Sequence, residues 1–229
     1  MLPADLRSAE AEALAALTAA LAADARGRWT VEWRFEGLRL LPVVLRLADA
    51  LVPLHPQLRL LFPDAGAAAL ARRDAPALAE RIGSLSDQLR LQGEAGSEGL
   101  LLLVQPSLAE YEEVEQLCGQ HRGAAVLLNG ALEDAAVGIG SVARQRRRGF
   151  LAQWQPAYAL QPLAGSALRF VHAGPWELYR LDADGYRLAA TFDARPDGEA
   201  QERALLGGAE PGLAANLRSL NSLIEGLQR

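Results

Sequence analysis

Lysine is absent from the chain, so all 23 basic residues are arginine. Ala, Leu and Gly are abundant, and a GC-rich genome is the simplest explanation for this bias. Acidic residues number 28, which gives a formal net charge of -5. Proteins that bind nucleic acid normally carry a basic face and a high isoelectric point. The composition therefore predicts no nucleic-acid partner.

Cysteine and histidine are scarce as well. Cys118 is the single cysteine, which excludes an internal disulfide, and it lies in a helical pattern where a buried, inert thiol is the default. The three histidines, His55, His121 and His172, are far apart in the sequence and none has a second ligand at zinc-binding spacing. We therefore predict no bound metal and no cofactor.

Long apolar runs are missing too. No window reaches the roughly 18 consecutive apolar residues that a membrane-spanning helix needs. At the amino terminus, Asp5, Glu10 and Glu12 interrupt an alanine-rich helical pattern, unlike a secretory signal. These features predict a soluble, cytoplasmic protein with no transmembrane span, whose association with a membrane would be peripheral.

The chain does contain alternating strand and helix patterns. The apolar run 124–128 ends at Asn129-Gly130, and an acidic loop, Gly138-Ile139-Gly140 and a basic helical segment follow. This order is typical of a buried parallel strand, a polar loop and a crossover helix. Further strands are predicted at 28–35, 57–63, 100–104 and 155–163.

Beyond Gly165 the pattern changes to three aromatic-rich runs, with a hairpin signal at Asp182-Ala183-Asp184-Gly185. The predicted fold class is α/β: about four or five parallel strands with helices on both faces, extended by an antiparallel meander. This is a Rossmann-like, three-layer sandwich. We predict one α/β domain over 1–198, with βα units to 163 and antiparallel strands from 164, followed by a helical segment at 199–229.

Ligands of open α/β sheets bind beyond the carboxyl ends of the parallel strands. The ligand-binding candidates that the pattern puts there are Asp64, Gly66, Asn129, Glu133, Asp134, Gly138 and Gly140. Clustered carboxylates can hold Mg²⁺ or act as acid and base. Capping of helices and pairing with arginine are the favoured interpretation, and Asp64 is a natural cap for the alanine-rich helix that follows it.

A basic helical segment supplies the candidates for binding a partner protein. Arginines at 144, 146, 147 and 148 could grip phosphate, an anionic lipid surface or an acidic protein, or could simply complement the helix dipole. Consecutive residues point to different sides of a helix, whereas Arg144 and Arg148 share one side. We therefore predict that these two arginines contact the partner.

Signatures of catalysis are missing. The sequence has no phosphate-binding G-x-x-x-x-G-K-[ST] loop, no G-x-G-x-x-G at the first helix and no G-x-S-x-G nucleophile elbow. The prediction is accordingly a protein that is not an enzyme. A hydrolase using Asp64 and Glu133 remains as a minor alternative.

Five segments of the chain form a recognisable set. They are FPDAGAAALARRD from Phe62, LLN-x-x-LED from Leu127, GIG-x-x-ARQ-x-R-x-x-F from Gly138, and the later Y-x-L-x-P-L and PWELY. Together they resemble a family of unknown function found in cyanobacteria and plastids. The resemblance spans roughly 2–198. Members include a chloroplast protein named for low photosystem II accumulation and the carboxyl-terminal part of a chloroplast adenylate kinase. Ala75 and Gly130 depart from the family pattern.

The resemblance implies a non-enzymatic factor that helps photosystem II subunits assemble at the thylakoid, and hence a partner that is a photosystem II subunit or assembly factor. It implies no catalytic residue. The alternative is a regulatory domain that binds a small molecule or a nucleotide phosphate at the carboxyl edge of the sheet. The kinase-fused relatives and the polar residues predicted there favour this alternative.

Overall fold

A computed structural model of the protein describes residues 1–93, 95–132 and 149–207. Within this part of the chain the α-helices are α1 (Leu6–Ala23), α2 (Leu40–Leu51), α3 (Ala65–Asp74), α4 (Leu85–Gln92), α5 (Tyr111–Gln120) and α6 (Gly198–Gly207). The strands are β1 (Arg28–Trp33), β2 (Arg59–Phe62), β3 (Ile82–Ser84), β4 (Leu100–Val104), β5 (Ala124–Leu128), β6 (Trp154–Leu163), β7 (Ser166–Val171), β8 (Trp176–Asp182) and β9 (Gly185–Phe192).

The nine described strands form one sheet in the order β3-β2-β4-β5-β1-β6-β7-β8-β9. From β3 to β6 each neighbouring pair is parallel, and from β6 to β9 each pair is antiparallel. The predicted α/β class with an antiparallel extension is confirmed. Because the first six strands of this order run in one direction, their carboxyl ends share one edge of the sheet, which we call the carboxyl rim.

Both faces of the parallel part are covered by helices. In β4 all five residues are buried. Its Leu100, Leu102 and Val104 join the core formed with α1, α2 and α3, whereas Leu101 and Leu103 join the core formed with α4 and α5. Side chains alternate across a strand, so a strand with helices above and below must be apolar throughout. This is the reason for the uninterrupted Leu-Leu-Leu-Leu-Val sequence.

The antiparallel strands have a separate, smaller core. Leu168, Trp176 and Leu178 are buried in it, and Ala204 and Leu205 of α6 pack against it. On the other side of these strands, α1 lies across β6 and β7. The antiparallel extension is therefore held from both sides.

Predicted and observed elements agree closely except between 76 and 92. The sequence at 77–82 predicts a short helix, and the structure has a 3-10 helix at Pro76–Arg81. Strand β3 and helix α4, which follow it, were not predicted. As a result the described sheet has six parallel strands rather than four or five. The expected buried position of Cys118 is confirmed, and burial raises the pKa of its thiol to about 12.

The opposite edge of the sheet, where the parallel strands begin, is tied together by Arg28 and His121. The Arg28 guanidinium donates to the carbonyl oxygens of Gly123 (2.8 Å) and Cys118 (2.9 Å). The His121 ring lies 2.8 Å (Nδ1) from the Ser97 hydroxyl and 3.2 Å (Nε2) from the Gly99 carbonyl oxygen. Burial is the main cause that lowers the pKa of His121, and the nearby Arg28 charge adds to the effect.

A pH dependence of stability follows from the buried His121. Its lowered pKa means that the unfolded chain binds the proton more tightly, so the contribution to stability is present above about pH 6.5 and is lost as the pH falls. We expect the free energy of unfolding, measured with urea, to fall more between pH 7 and pH 5 for wild type than for His121→Gln. The excess is at most about 1.4 kcal/mol per pH unit. Equal losses in the two proteins would contradict this role for His121.

Candidate functional site

The carboxyl rim brings two of the predicted ligand-binding residues to the same edge of the sheet. Asp64 follows β2 and Asn129 follows β5, and β4 lies between these two strands. Two strand spacings separate them, roughly 10 Å. Gln105, which follows β4, occupies the position between them and is exposed. The shared rim matches the placement expected from the sequence.

Asp64 caps helix α3, as predicted. Its backbone is extended, and its Oδ1 accepts a hydrogen bond from the backbone N–H of Ala67 at 2.9 Å. A cap of this kind satisfies one of the free N–H groups in the first turn. A methyl group on Gly66 would lie 3.0 Å from the same Asp64 oxygen, so the glycine leaves room for the cap.

The Asn129 side chain is bonded to the backbone of strand β1. Its Oδ1 accepts from the N–H of Trp33 at 2.7 Å, and its Nδ2 donates to the carbonyl oxygen of Trp33 at 2.8 Å. The backbone N–H of Asn129 donates to Val31 at 2.9 Å. Strand β5 ends one residue earlier, so the side-chain amide takes the place of the next peptide group of the parallel ladder. The φ angle of +51° lies in the left-handed region, which asparagine tolerates well.

The remaining predicted site residues lie outside the described residues. They are Glu133, Asp134, Gly138, Gly140, Arg144 and Arg148. Ligand binding by the first four, and partner binding by the two arginines, stay predictions. Among the described rim residues, Asp64 already accepts a hydrogen bond from Ala67, and the Asn129 amide already bonds to the backbone of Trp33.

A buried carboxylate on β1 is the feature of the rim that the sequence reasoning missed. Glu32 is 5% exposed and lies on β1, the central strand of the nine in the described sheet. Its Oε2 makes long ion-pair contacts with Nε of Arg34 at 3.5 Å and with Nη2 of Arg195 at 3.4 Å. A buried carboxylate is costly without such partners. We refer to Glu32, Arg34, Arg195 and Gln161 as the Glu32 cluster.

The two guanidiniums of the Glu32 cluster are held by further contacts. Nη2 of Arg34 donates to the carbonyl oxygen of Gly130 at 2.9 Å, next to Asn129. Nη2 of Arg195 also contacts Oε1 of Gln161 at 3.1 Å, and its guanidinium carbon lies 5.2 Å from the centre of the Trp176 ring. The contact with Trp176 is a cation–π interaction. Both guanidiniums are thus held in a defined orientation by contacts with buried residues.

Solvent still reaches these guanidiniums. The side chains of Arg34 and Arg195 are 36% and 46% exposed, against 7% for Glu32. With two positive charges and one negative, the cluster carries a net charge of +1. An ordered, partly exposed pair of guanidiniums can bind a carboxylate or phosphate of another molecule through charged hydrogen bonds.

A signal for Glu32 was present in the sequence. In the strand Arg28–Trp33, alternation of polar and apolar residues is compatible with one face in water. Once the same strand is placed inside a parallel sheet, both faces are covered, and a carboxylate there needs a partner. The clue is therefore a charged residue in a strand of a predicted βαβ unit.

Among the described residues, no three His, Cys, Asp or Glu side chains are grouped so that they could hold a metal ion. Within the same ranges, no helix combines the length and the apolar character that crossing a bilayer requires.

The structure defines an α/β domain with a parallel core, an antiparallel extension and an arginine-bearing carboxyl rim. Residues 3–203 match the model of a family described as a domain of unknown function, DUF1995, and the chain belongs to this family. The match covers nearly the same part of the chain as the sequence resemblance. A search of curated proteins gave no significant match.

Proposed function

We propose that the protein is a non-enzymatic factor that binds a partner protein, a photosystem II subunit or assembly factor, at the thylakoid surface. Two lines of support are independent of each other. One is the likeness of segments such as FPDAGAAALARRD and PWELY to plastid and cyanobacterial members of the family. The other is the Glu32 cluster, which is the observation that carries the proposal.

The Glu32 cluster suits recognition of an acidic segment of a protein. Arginine is enriched at the energetically dominant positions of protein interfaces, and the ordering of its side chain before binding reduces the entropic cost. Arg34 and Arg195 are ordered in this way by Glu32, Gly130 and Trp176. A carboxylate of the partner would complete the charge balance of the cluster. We propose that the protein stays cytoplasmic and meets the membrane only through this partner.

Capture from detergent-solubilised thylakoids tests the proposal. We expect the tagged protein to retain photosystem II subunits, and Arg34→Glu with Arg195→Glu to reduce their recovery at least about 10-fold, because roughly 1.4 kcal/mol of lost binding energy suffices. The matched control is Arg90→Glu with Arg203→Glu, which makes the same change in net charge at arginines that are 76% and 72% exposed.

The same experiment tests the arginines predicted from the sequence. Arg144→Glu with Arg148→Glu also reverses two charges and should weaken capture if that pair contacts the partner. Recovery that is equal for wild type and the Arg34/Arg195 variant would remove the Glu32 cluster from the interface. Failure of the wild-type protein to retain any photosystem II subunit would remove the proposed partner.

A further inference from the structure

A groove of about 630 Å³ lies at the edge of the sheet opposite the carboxyl rim. Its walls come from the residues that precede and begin β2, the 3-10 helix at Pro76–Arg81, one side of α4, and the residues just before β4. Binding pockets for small organic molecules usually measure about 300–1,000 Å³. The groove is therefore large enough for such a molecule.

Two arginines without carboxylate partners, Arg59 and Arg81, line this groove, and Arg72 is close enough to Arg59 for their charges to interact. Among the described residues, Arg59, Arg72 and Arg81 form no ion pair, in contrast to most other described arginines. Arg59 donates to Oε1 of Gln88 at 3.2 Å and to the carbonyl oxygen of Glu80. Arg81 donates to the carbonyl oxygen of Pro56. Arg72 donates to the carbonyl oxygen of Ile82 at 2.8 Å.

These hydrogen bonds orient the guanidiniums but do not use all of their donors. A guanidinium offers donors on all three nitrogens. Within the described chain, Nη2 of Arg59 donates no hydrogen bond, and Arg81 uses Nη1 alone. Both residues line the groove, together with the buried Gln88. The groove is thus bordered by oriented N–H groups with capacity for an acceptor.

The positive charges also repel each other. Burial lowers the pKa of Arg59 most, and the charges of Arg72 and Arg81 lower it further, against a smaller opposing effect from Glu80. The other acid of the groove, Glu98, is paired with Arg122 at 2.9 Å. An anion placed between Arg59 and Arg81 would relieve this repulsion.

We propose that the groove binds a small organic molecule through a phosphate or carboxylate group held between Arg59 and Arg81. Guanidiniums bind both groups with paired hydrogen bonds. The organic part of the ligand would lie along Leu91, which borders the groove and is 73% exposed. The site is independent of the proposed partner protein, because it lies at the other edge of the sheet.

Thermal unfolding with added anions tests this site. Inorganic phosphate, phosphorylated sugars and nucleotides, and aliphatic di- and tricarboxylates would each be compared with sodium chloride of equal ionic strength. We expect one organic class to raise Tm of the wild-type protein by about 5–10 °C at a concentration about 100-fold above Kd. The class that protects shows whether the anionic group is phosphate or carboxylate.

Two variants and a control connect the effect to the groove. Arg81→Gln and Arg59→Gln should each weaken binding at least about 10-fold in calorimetric titration, whereas Arg203→Gln, at an exposed residue of α6, should bind like wild type. Without ligand, Arg81→Gln should melt close to wild type, because removal of the repulsion from Arg59 offsets the loss of the hydrogen bond to Pro56. Unchanged binding in both groove variants, or no protection beyond the salt control, would overturn the site. Equal protection by inorganic phosphate and by the organic anions would overturn the role of Leu91.

Discussion

Replacing Arg169 with alanine is expected to lower the free energy of unfolding by about 3–5 kcal/mol at pH 7, because it leaves two partly buried carboxylates without a counter-charge. Arg169 on β7 binds Glu12 on α1 through Nε at 3.0 Å and through Nη2. Its Nη1 binds Glu177, the residue paired with it on β8. One guanidinium therefore fastens helix α1 to two strands of the antiparallel extension.

Burial makes this network more important than the surface ion pairs. The side chains of Arg169, Glu12 and Glu177 are 14%, 25% and 23% exposed. Hydrogen bonds with Glu12 are the main cause that raises the pKa of Arg169, so its positive charge is secure at any pH at which the protein is folded. Tyr179 donates to Glu177 at 2.9 Å and completes the network.

Chemical denaturation of three variants separates the charge from the geometry. Arg169→Lys keeps the charge but loses the paired hydrogen bonds to Glu12, and should lose less stability than Arg169→Ala. Arg90→Ala removes an exposed arginine paired with Asp87 and should leave the unfolding midpoint nearly unchanged. In Arg169→Ala the folded state gains affinity for protons. The difference in unfolding free energy between wild type and this variant, its stability deficit, should therefore shrink as the pH falls from 7 to 4.5. A deficit that is small, or that is independent of pH, would show that the network contributes little.

The Arg169 network also illustrates what the sequence alone can and cannot reveal. The Leu100–Val104 strand was predicted with its observed bounds, because an uninterrupted apolar run has few other structures open to it. The turn between β8 and β9 was predicted from Asp-Ala-Asp-Gly, and Gly185 has the positive φ angle of +124° that this turn needs. These are local patterns. The contact between Glu12 and Arg169 joins residues 157 positions apart, and no local pattern indicates it.

Strand β3 and helix α4 were missed for a related reason. A three-residue strand is too short for an alternating pattern, and α4 buries two glutamines, Gln88 and Gln92, where apolar residues would have indicated a core face. The Gln92 amide is satisfied by the Leu117 carbonyl oxygen and by Gln120 of α5. Helix α4 thus contacts α5 partly through hydrogen bonds. Its polar sequence therefore did not indicate a buried helix face.

At the carboxyl rim, the order of the strands decided what could be predicted. Placing Asp64 and Asn129 at one edge required only that their strands be parallel. The bonds between Asn129 and Trp33 require in addition that β5 lie beside β1, which the crossover order β4-β5-β1-β6 brings about. The same central position of β1 turned Glu32 from an apparent surface residue into a buried one. Strand order depends on contacts between distant segments, so it was not available from the sequence patterns.

Replacing Asn129 with alanine is expected to cost about 2–4 kcal/mol of unfolding free energy, from two lost hydrogen bonds of about 1 kcal/mol each and the strain of a left-handed alanine. The observed bonds to the Trp33 N–H and carbonyl oxygen are short, at 2.7 and 2.8 Å. They continue the β5–β1 ladder past the end of β5. Their loss would leave both Trp33 backbone groups without these partners.

Two more variants distinguish the causes. Asn129→Gly loses the same hydrogen bonds but adopts the φ angle of +51° without strain, so it should be about 1 kcal/mol more stable than Asn129→Ala. Asn129→Asp keeps the shape and the acceptor for the Trp33 N–H, but its carboxylate faces the Trp33 carbonyl oxygen with no hydrogen to donate. Protonation restores a donor.

The pH dependence of Asn129→Asp is therefore the sharpest test. In the folded variant the carboxyl group at 129 binds its proton more tightly than in the unfolded chain, so the pKa of this new group is raised and stability rises as the pH falls through it. Wild type and variant both lose stability over the same range because burial of His121 resists its protonation, and this shared loss cancels in the difference between them. Urea unfolding at pH 7 and pH 4.5 should show the gap between wild type and Asn129→Asp narrowing. If Asn129 instead serves a ligand and not the ladder, Asn129→Gly and Asn129→Asp would unfold like wild type at both pH values. Asn129→Ala would then lose only the backbone strain of about 1 kcal/mol.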